Sequence, residues 1–273
     1  MALKNQEKSI KVNEIDIFLR EFPQLKSLQK LVSDDLILSE IASKKSIFQR
    51  DLQKAQTAIP TVNLEDIFPS DIVKSSIRLE NFLGHWGNVT IEEIAKMCLI
   101  IAWLKPKKIL EMGTYNGMST LQIALNAPID CVTYTIDLLP QHIDSVSLGP
   151  LDCLVAEKFR KIFNTSLGSY FQGREKELRI EQLYGDTTKY SYDAIEGQID
   201  FIFIDAAHDY ESKKTDSINA FNLLSSDGVI VWHDYAQISN PDVTKCLAEL
   251  AQEHDIFHLR NTNLAVYRSG HNR

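Results

Sequence analysis

Between Val12 and Gln56 the apolar residues recur every three to four positions: Ile15, Ile17, Phe18, Leu25, Leu28, Leu31, Leu36, Ile37, Ile41, Ile47 and Leu52. That period predicts amphipathic helices, two or three of them, broken near Phe22–Pro23 and Ser33–Asp34, where Ser or Asp caps the next turn. Ile59 to Ser70 carries two prolines and reads as a linker. GHWGNVT (84–90) is a turn-rich lead-in to the helix IEEIAKMCLIIAWLKP; Thr90 and Glu93 have capping-box spacing, and Pro106 stops the helix. Beyond it short apolar runs alternate with helical ones. Strands are predicted at 107–110, 131–137, 178–186, 199–206 and 228–234, with helices at 119–127, 215–225 and 243–254. IFHLR and LAVYR, separated only by Asn261–Asn263, read as a closing hairpin. A polar insertion from Leu138 to Glu177 carries a predicted helix over Val155–Phe163. The alternation implies an α/β, doubly wound, seven-stranded and mostly parallel sheet whose last strand is antiparallel. The expected division is an N-terminal helical appendage and linker (1–80) and a sheet domain (81–273).

The chemistry gathers where those strands end. In an open parallel sheet, ligands bind outside the carboxyl ends of the strands. The first central strand runs through Glu111 into a turn with Gly113, Thr114, Tyr115 and Gly117, and a helix starts near Met118–Ser119. Glycine lets a ligand approach backbone closely, so this is a nucleotide-type turn. The other ends present Asp137, Asp186, Asp205 and the pair His233–Asp234, so all five central strands end in an acid. Packed carboxylates resist desolvation unless cations or hydrogen-bond donors compensate. Asp137, 26 residues after Glu111, stands where an acid accepts both ribose hydroxyls of a nucleoside, whether of NAD or another cofactor. An Asx turn explains Asp186 almost as well as an adenine contact does. Asp205, Asp234 and an imidazole have the makings of a facial divalent-metal site. Oxygen ligands favour Mg, Mn or Ca, and a histidine shifts the preference toward transition metals. Trp86, Tyr115, Tyr210 and Trp232 are candidate pocket aromatics.

Composition narrows the partners. With 29 Lys+Arg against 37 Asp+Glu the net charge is −8, which gives no general electrostatic case for nucleic acid or an anionic membrane. Cys98, Cys131, Cys153 and Cys246 match no metal or disulfide spacing and read as buried thiols of a cytoplasmic protein. The N-terminus lacks an apolar signal core. A homo-oligomer built partly through the N-terminal helices is expected.

EMGTYNGMS, TIDLLP, FIDAAHDY and WHDY together resemble the class I methyltransferases that use S-adenosylmethionine (AdoMet), in the group related to catechol O-methyltransferase that includes natural-product and sugar O-methyltransferases. The resemblance spans roughly Gly84 to Arg268. It implies AdoMet bound by Asn88, Val89, Glu111, Gly113, Thr114, Tyr115, Gly117, Ser119, Asp137, Asp186 and Asp205. It also implies magnesium held by Asp205 and Asp234. Tyr235 stands where the catechol enzymes take a third ligand, and relatives point instead to His233. His208, three residues past Asp205, falls on the position of the base that deprotonates the acceptor hydroxyl, with Asp205 beside it. The implied reaction is O-methylation of a small molecule. An NAD-dependent oxidoreductase, a non-catalytic scaffold with the same fold, and a metal-free methyltransferase relying on His208 alone are the competing readings.

Overall fold

The computed structural model describes residues 58–82, 88–139, 167–195, 198–237 and 240–271, within a compact unit spanning Ala55–Arg273. The helices expected in 12–56 and over 155–163 lie outside the described residues. The elements run β1 (Thr61–Val62), α1 (Leu64–Ile67), α2 (Ile91–Leu104), β2 (Lys108–Met112), α3 (Met118–Asn126), β3 (Val132–Asp137) and β4 (Ile180–Tyr184). They continue with β5 (Ile199–Ile204), α4 (Tyr210–Leu223), β6 (Leu224–Trp232), α5 (Pro241–Leu250), β7 (Ile256–Leu259) and β8 (Ala265–Arg268). The strands form one sheet in the order β1-β7-β8-β6-β5-β2-β3-β4. Strand β8 is antiparallel to both neighbours, and every other pairing is parallel.

Alternation along the central strands sorts their side chains into two cores. Ile109, Phe201, Phe203, Val229 and Val231 pack with Ile94, Met97, Cys98 and Ile101 of α2 and with Met118 and Ile123 of α3. Leu110, Met112, Ile202, Ile204, Ile230 and Trp232 face the other way, toward Ala220 of α4 and Val243 and Leu247 of α5. The result is a three-layer sandwich. Because both faces of β5 are covered, its sequence IDFIFI is an almost unbroken apolar run. Helix α2 starts at the expected capping box: the Thr90 side chain accepts from Glu93 N, and the Glu93 side chain accepts from Thr90 N. It ends at Lys105, which takes a left-handed conformation just ahead of Pro106.

The structure differs most from the sequence reading in two places. Residues 59–70, expected as a linker, supply with Ile72 an eighth strand and part of the core. Thr61 and Val62 register against His258 and Leu259, and Ile59, Leu64, Ile67, Phe68 and Ile72 are buried. Pro60 does not exclude this role. Pro60 precedes an edge strand and needs no ladder donor, and its carbonyl still accepts from His258 N at 2.9 Å. Helix α4 begins at Tyr210 rather than Thr215, capped by Asp209, whose side chain accepts from Ser212 N at 3.0 Å. Its buried positions are Lys213, Asp216, Ser217 and Ala220. Their spacing is helical, but three of the four are polar, so a hydrophobic pattern does not register them.

If residues 59–72 belong to the core, Ile59→Ala should destabilise the protein by about 2–5 kcal/mol. Denaturant unfolding would read this as a lowered midpoint at unchanged slope, and a change near zero would return the segment to the status of a linker.

Candidate active site

The parallel register brings the strand ends to one edge. Met112 lies opposite Ile136 of β3 and Ile204 of β5, and Ile204 lies opposite Trp232 of β6. The ladder extends one residue further, with Gly113 N on Ile136 O (2.9 Å), Asp205 N on Met112 O (2.8 Å) and His233 N on Ile204 O (3.2 Å). Gly113, Asp205 and His233 are thereby fixed side by side by backbone hydrogen bonds.

The glycine turn is built against that edge. Gly113 has φ +102°, and a Cβ there would lie 2.2 Å from the Asp205 carbonyl oxygen, so no other residue fits without moving β5. Tyr115 and Gly117 are also left-handed, at φ +48° and +80°. A Cβ on Gly117 would meet the Phe171 ring at 2.5 Å. The end of the insertion packs on this turn, with Gly168 N on Tyr115 O and Tyr170 N on Asn116 O, both at 3.0 Å. Under the turn, Glu111 is fully buried and accepts from Ser119 Oγ (2.5 Å), Thr135 Oγ1 (2.7 Å) and Thr120 Oγ1. The Thr135 hydroxyl also meets Thr114 Oγ1 at 2.7 Å. Burial outweighs these three donors and pushes the Glu111 carboxyl up to about 7.

The two acids toward the β4 edge are engaged locally. Asp137 accepts from Tyr115 N and Leu138 N, each at 2.7 Å, which fixes its carboxylate over the glycine turn. Asp186 accepts from Thr188 N (3.0 Å), Thr188 Oγ1 (2.6 Å) and Lys189 Nζ (3.0 Å), an Asx-type turn. On the other side Val89 is buried, and the buried Asn88 Nδ2 has no hydrogen-bond partner among the described residues. Such a donor suits a ligand carrying acceptor oxygens, such as an amino-acid carboxylate.

Four of the expected residues converge. His208 Nε2 lies 2.5 Å from Asp234 Oδ2 and 3.8 Å from Asp205 Oδ1. His233 Nδ1 lies 3.2 Å from Asp205 Oδ1 and 3.3 Å from Asp234 Oδ1. Its other nitrogen faces Glu93 Oε2 at 3.4 Å. Burial works against a charged His233 ring, yet Asp234 and Asp205 outweigh it and hold its pKa well above the usual histidine value. Burial likewise opposes charge on Asp234, but His233 and His208 keep it well below the usual carboxylate range. Asp234 and Ala236 both sit at positive φ, +63° and +61°. The turn is held by Tyr235 N on Asn263 O (2.9 Å) and Ala236 N on Thr244 Oγ1 (3.0 Å). Candidate metal-donor atoms of Asp205, His208 and Asp234 lie within 4.8 Å of one another. His233 borders that cluster with one nitrogen turned away to Glu93.

Of the candidate aromatics, Trp232 is fully buried and donates to Ser217 Oγ at 2.9 Å, a core role. Tyr210 OH bonds Glu249 on α5, Tyr115 is half-buried on the glycine turn, and Trp86 lies outside the described residues. The residue that sequence reasoning missed as part of the site is Glu93, visible only as a helix cap. No spacing signal joins it to His233, 140 residues away.

Residues 110–235 match a family of methyltransferase domains. The fold is shared with the O-methyltransferase NovP, at 13% identity and a TM-score of 0.51, covering 66% of this chain and 80% of that one. Two further similar structures are an O-methyltransferase from Bacillus cereus in complex with SAH (17% identity, 75% and 89% covered, TM-score 0.46) and TomG from Streptomyces achromogenes, an O-methyltransferase of tomaymycin synthesis solved with SAM (15% identity, 77% and 100% covered, TM-score 0.44). No curated protein matches the chain in sequence. The match to a methyltransferase-domain family thus covers residues 110–235, and the sheet around it has the α/β fold of the class I methyltransferases.

Two predictions follow from the turn. Gly113→Ala should cost on the order of 3 kcal/mol, because strain and overlap with backbone add, and an unfolding midpoint close to wild type would contradict this. The carboxyl of Glu111 is raised from 4.5 to about 7, so it disfavours the folded state as pH climbs through that window. At acid pH both states are protonated and the effect vanishes. Glu111→Gln should therefore gain stability relative to wild type between pH 4.5 and about 7. Parallel pH profiles of the two proteins would show that Glu111 ionises normally.

Proposed function

We propose that this protein is an AdoMet-dependent methyltransferase that transfers the methyl group to a hydroxyl oxygen of a small molecule, with His208 as the base. The observation that carries this reading is the 2.5 Å contact of His208 Nε2 with Asp234 Oδ2, at the strand edge that abuts the glycine turn. Asp234 orients the ring, as a carboxylate does for a catalytic histidine. The described residues fit AdoMet: Asp137 for the ribose hydroxyls, the turn from Gly113 to Gly117 with Ser119 for the amino-acid end, and Asn88 and Val89 over it. Asp186, bound up in its own turn, would meet adenine mainly through backbone. AdoMet supplies an electrophilic methyl on a sulfonium; the carbon–sulfur bond breaks as the carbon–oxygen bond forms. His208 takes the acceptor proton, and the glycine turn and Asp205 edge align the two reactants, which supplies much of the rate.

A divalent cation fits the same edge. Asp205 and Asp234 would hold it, with His208 and His233 offering nitrogens beside them; oxygen donors favour magnesium, and an imidazole in the set favours manganese or another transition metal. When bound, it supplies Lewis acidity that lowers the pKa of the acceptor hydroxyl. The acceptor proposed is a small-molecule hydroxyl, phenolic or of a sugar; NovP, which shares the fold, is an O-methyltransferase. The buried free thiols Cys98, Cys131 and Cys246 support a reducing, cytoplasmic setting. Among the described residues no helix is long and apolar enough to cross a membrane.

The test is release of S-adenosylhomocysteine from AdoMet over a panel of catechols, other phenols and sugars, with Mg, with Mn and with chelator. We expect turnover of at least one class, and His208→Ala should lower kcat by about 10²–10⁴-fold. Asp137→Ala should weaken AdoMet binding several-fold. Asp234→Ala should abolish metal-dependent turnover while leaving AdoMet affinity nearly intact. Normal turnover by the His208 variant would remove the proposed base, and chelator-insensitive turnover would remove the metal.

A further inference from the structure

Glu93 enters the sequence reading only as the third residue of a helix, closing a capping box with Thr90. The structure gives it a wider reach. Its side chain is 1% exposed and divides its two oxygens between three parts of the chain. Oε1 accepts from Asn263 N, in the turn between β7 and β8, at 2.7 Å. Oε2 accepts from Thr90 N at 2.8 Å and from Thr90 Oγ1 at 2.9 Å, and faces His233 Nε2 at 3.4 Å. Asn263 in turn accepts from Tyr235 N through its carbonyl, at 2.9 Å. One buried carboxylate thus connects the Asn88–Thr90 segment, the hairpin turn and the β6 end that presents His233 and Asp234.

A helix cap alone does not require this placement. The capping role is complete with Thr90, and a glutamate is almost never fully buried unless it is paired. Here the acid lies on the far side of the His233 ring from Asp205 and Asp234. An imidazole can rotate about two side-chain bonds, and its ring is oriented by what its second nitrogen meets. With Nε2 directed at Glu93, Nδ1 stands against Asp205 and Asp234 together, at 3.2 and 3.3 Å.

We propose that Glu93 is a positioning residue of the methyl-transfer site: it fixes the His233 ring so that His233 holds the Asp205 and Asp234 carboxylates in place for His208. The inference rests on the methyl-transfer reading above for its consequence, and on the contact geometry for its structural half.

The experiment is a double-mutant cycle on the full chain, Glu93→Gln and His233→Ala singly and together, with three readouts: kcat for S-adenosylhomocysteine release over the catechol and sugar panel, AdoMet affinity by calorimetry, and the unfolding constant in denaturant. A displaced ring should lower kcat about tenfold or more in Glu93→Gln. AdoMet affinity should stay within about threefold of wild type. The double variant should be no slower than His233→Ala alone, because Glu93 acts through the ring. A cap without influence on the site would lower stability and leave kcat of the folded protein unchanged, and that outcome overturns the proposal. So do losses in kcat that simply multiply in the double variant. If wild type releases no S-adenosylhomocysteine with any acceptor, the methyl-transfer reading fails on its own, and the unfolding cycle still decides the contact. Coupling of about threefold or more in the unfolding constant supports the positioning of His233, and additive effects reject it.

Discussion

A histidine ring with carboxylates on both sides is the interaction on which this site depends. Parallel strands with covered faces deliver their carboxyl ends to one edge, and in this chain those ends carry acids. Left to themselves, Asp205 and Asp234 would repel one another in a poorly solvated place. His233, between them and Glu93, supplies the compensation, and the direction of the shifts agrees: the ring is held toward its charged form and Asp234 toward its ionised form. The remaining acids are settled by other means. Glu111 takes three hydroxyl donors, Asp137 two backbone amides, and Asp186 its own turn with Lys189.

The fold makes that compensation possible by being rigid where the acids meet. Gly113 has no room for a side chain against Asp205, so the glycine turn and the β5 end approach to backbone contact. The left-handed residues Asp234 and Ala236 turn the chain sharply after β6, and the closing hairpin braces that turn through Asn263. The antiparallel strand β8, inserted between β6 and β7, is therefore more than an edge: it places the hairpin turn next to the chemistry.

Much of this was legible in the sequence because the relevant signals are local. The capping box at Thr90, the strand–glycine–helix unit at Glu111 to Ser119, the mostly parallel sheet implied by alternation and the terminal hairpin all follow from short-range patterns that the structure reproduces. The acids at the strand ends could be listed for the same reason. What escaped has a common physical cause. Strand β1 is two residues long and follows Pro60, so no alternation is visible in it. The sheet-facing stripe of α4 contains Lys213, Asp216 and Ser217, so hydrophobic periodicity began it five residues late. Glu93 meets His233 across 140 positions, and only the assembled sheet shows that a helix cap and a strand end share one carboxylate. Long-range polar contacts of this kind leave no period to read.

The central claim is that the strand edge between the glycine turn and His233 is an AdoMet site. Calorimetric titration of S-adenosylhomocysteine into the purified protein, in the presence of chelator and with NAD as the competing ligand, tests it most directly. The account predicts saturable one-site binding that survives chelation and is absent for NAD. Heat with NAD, or no binding of S-adenosylhomocysteine under either condition, would contradict it.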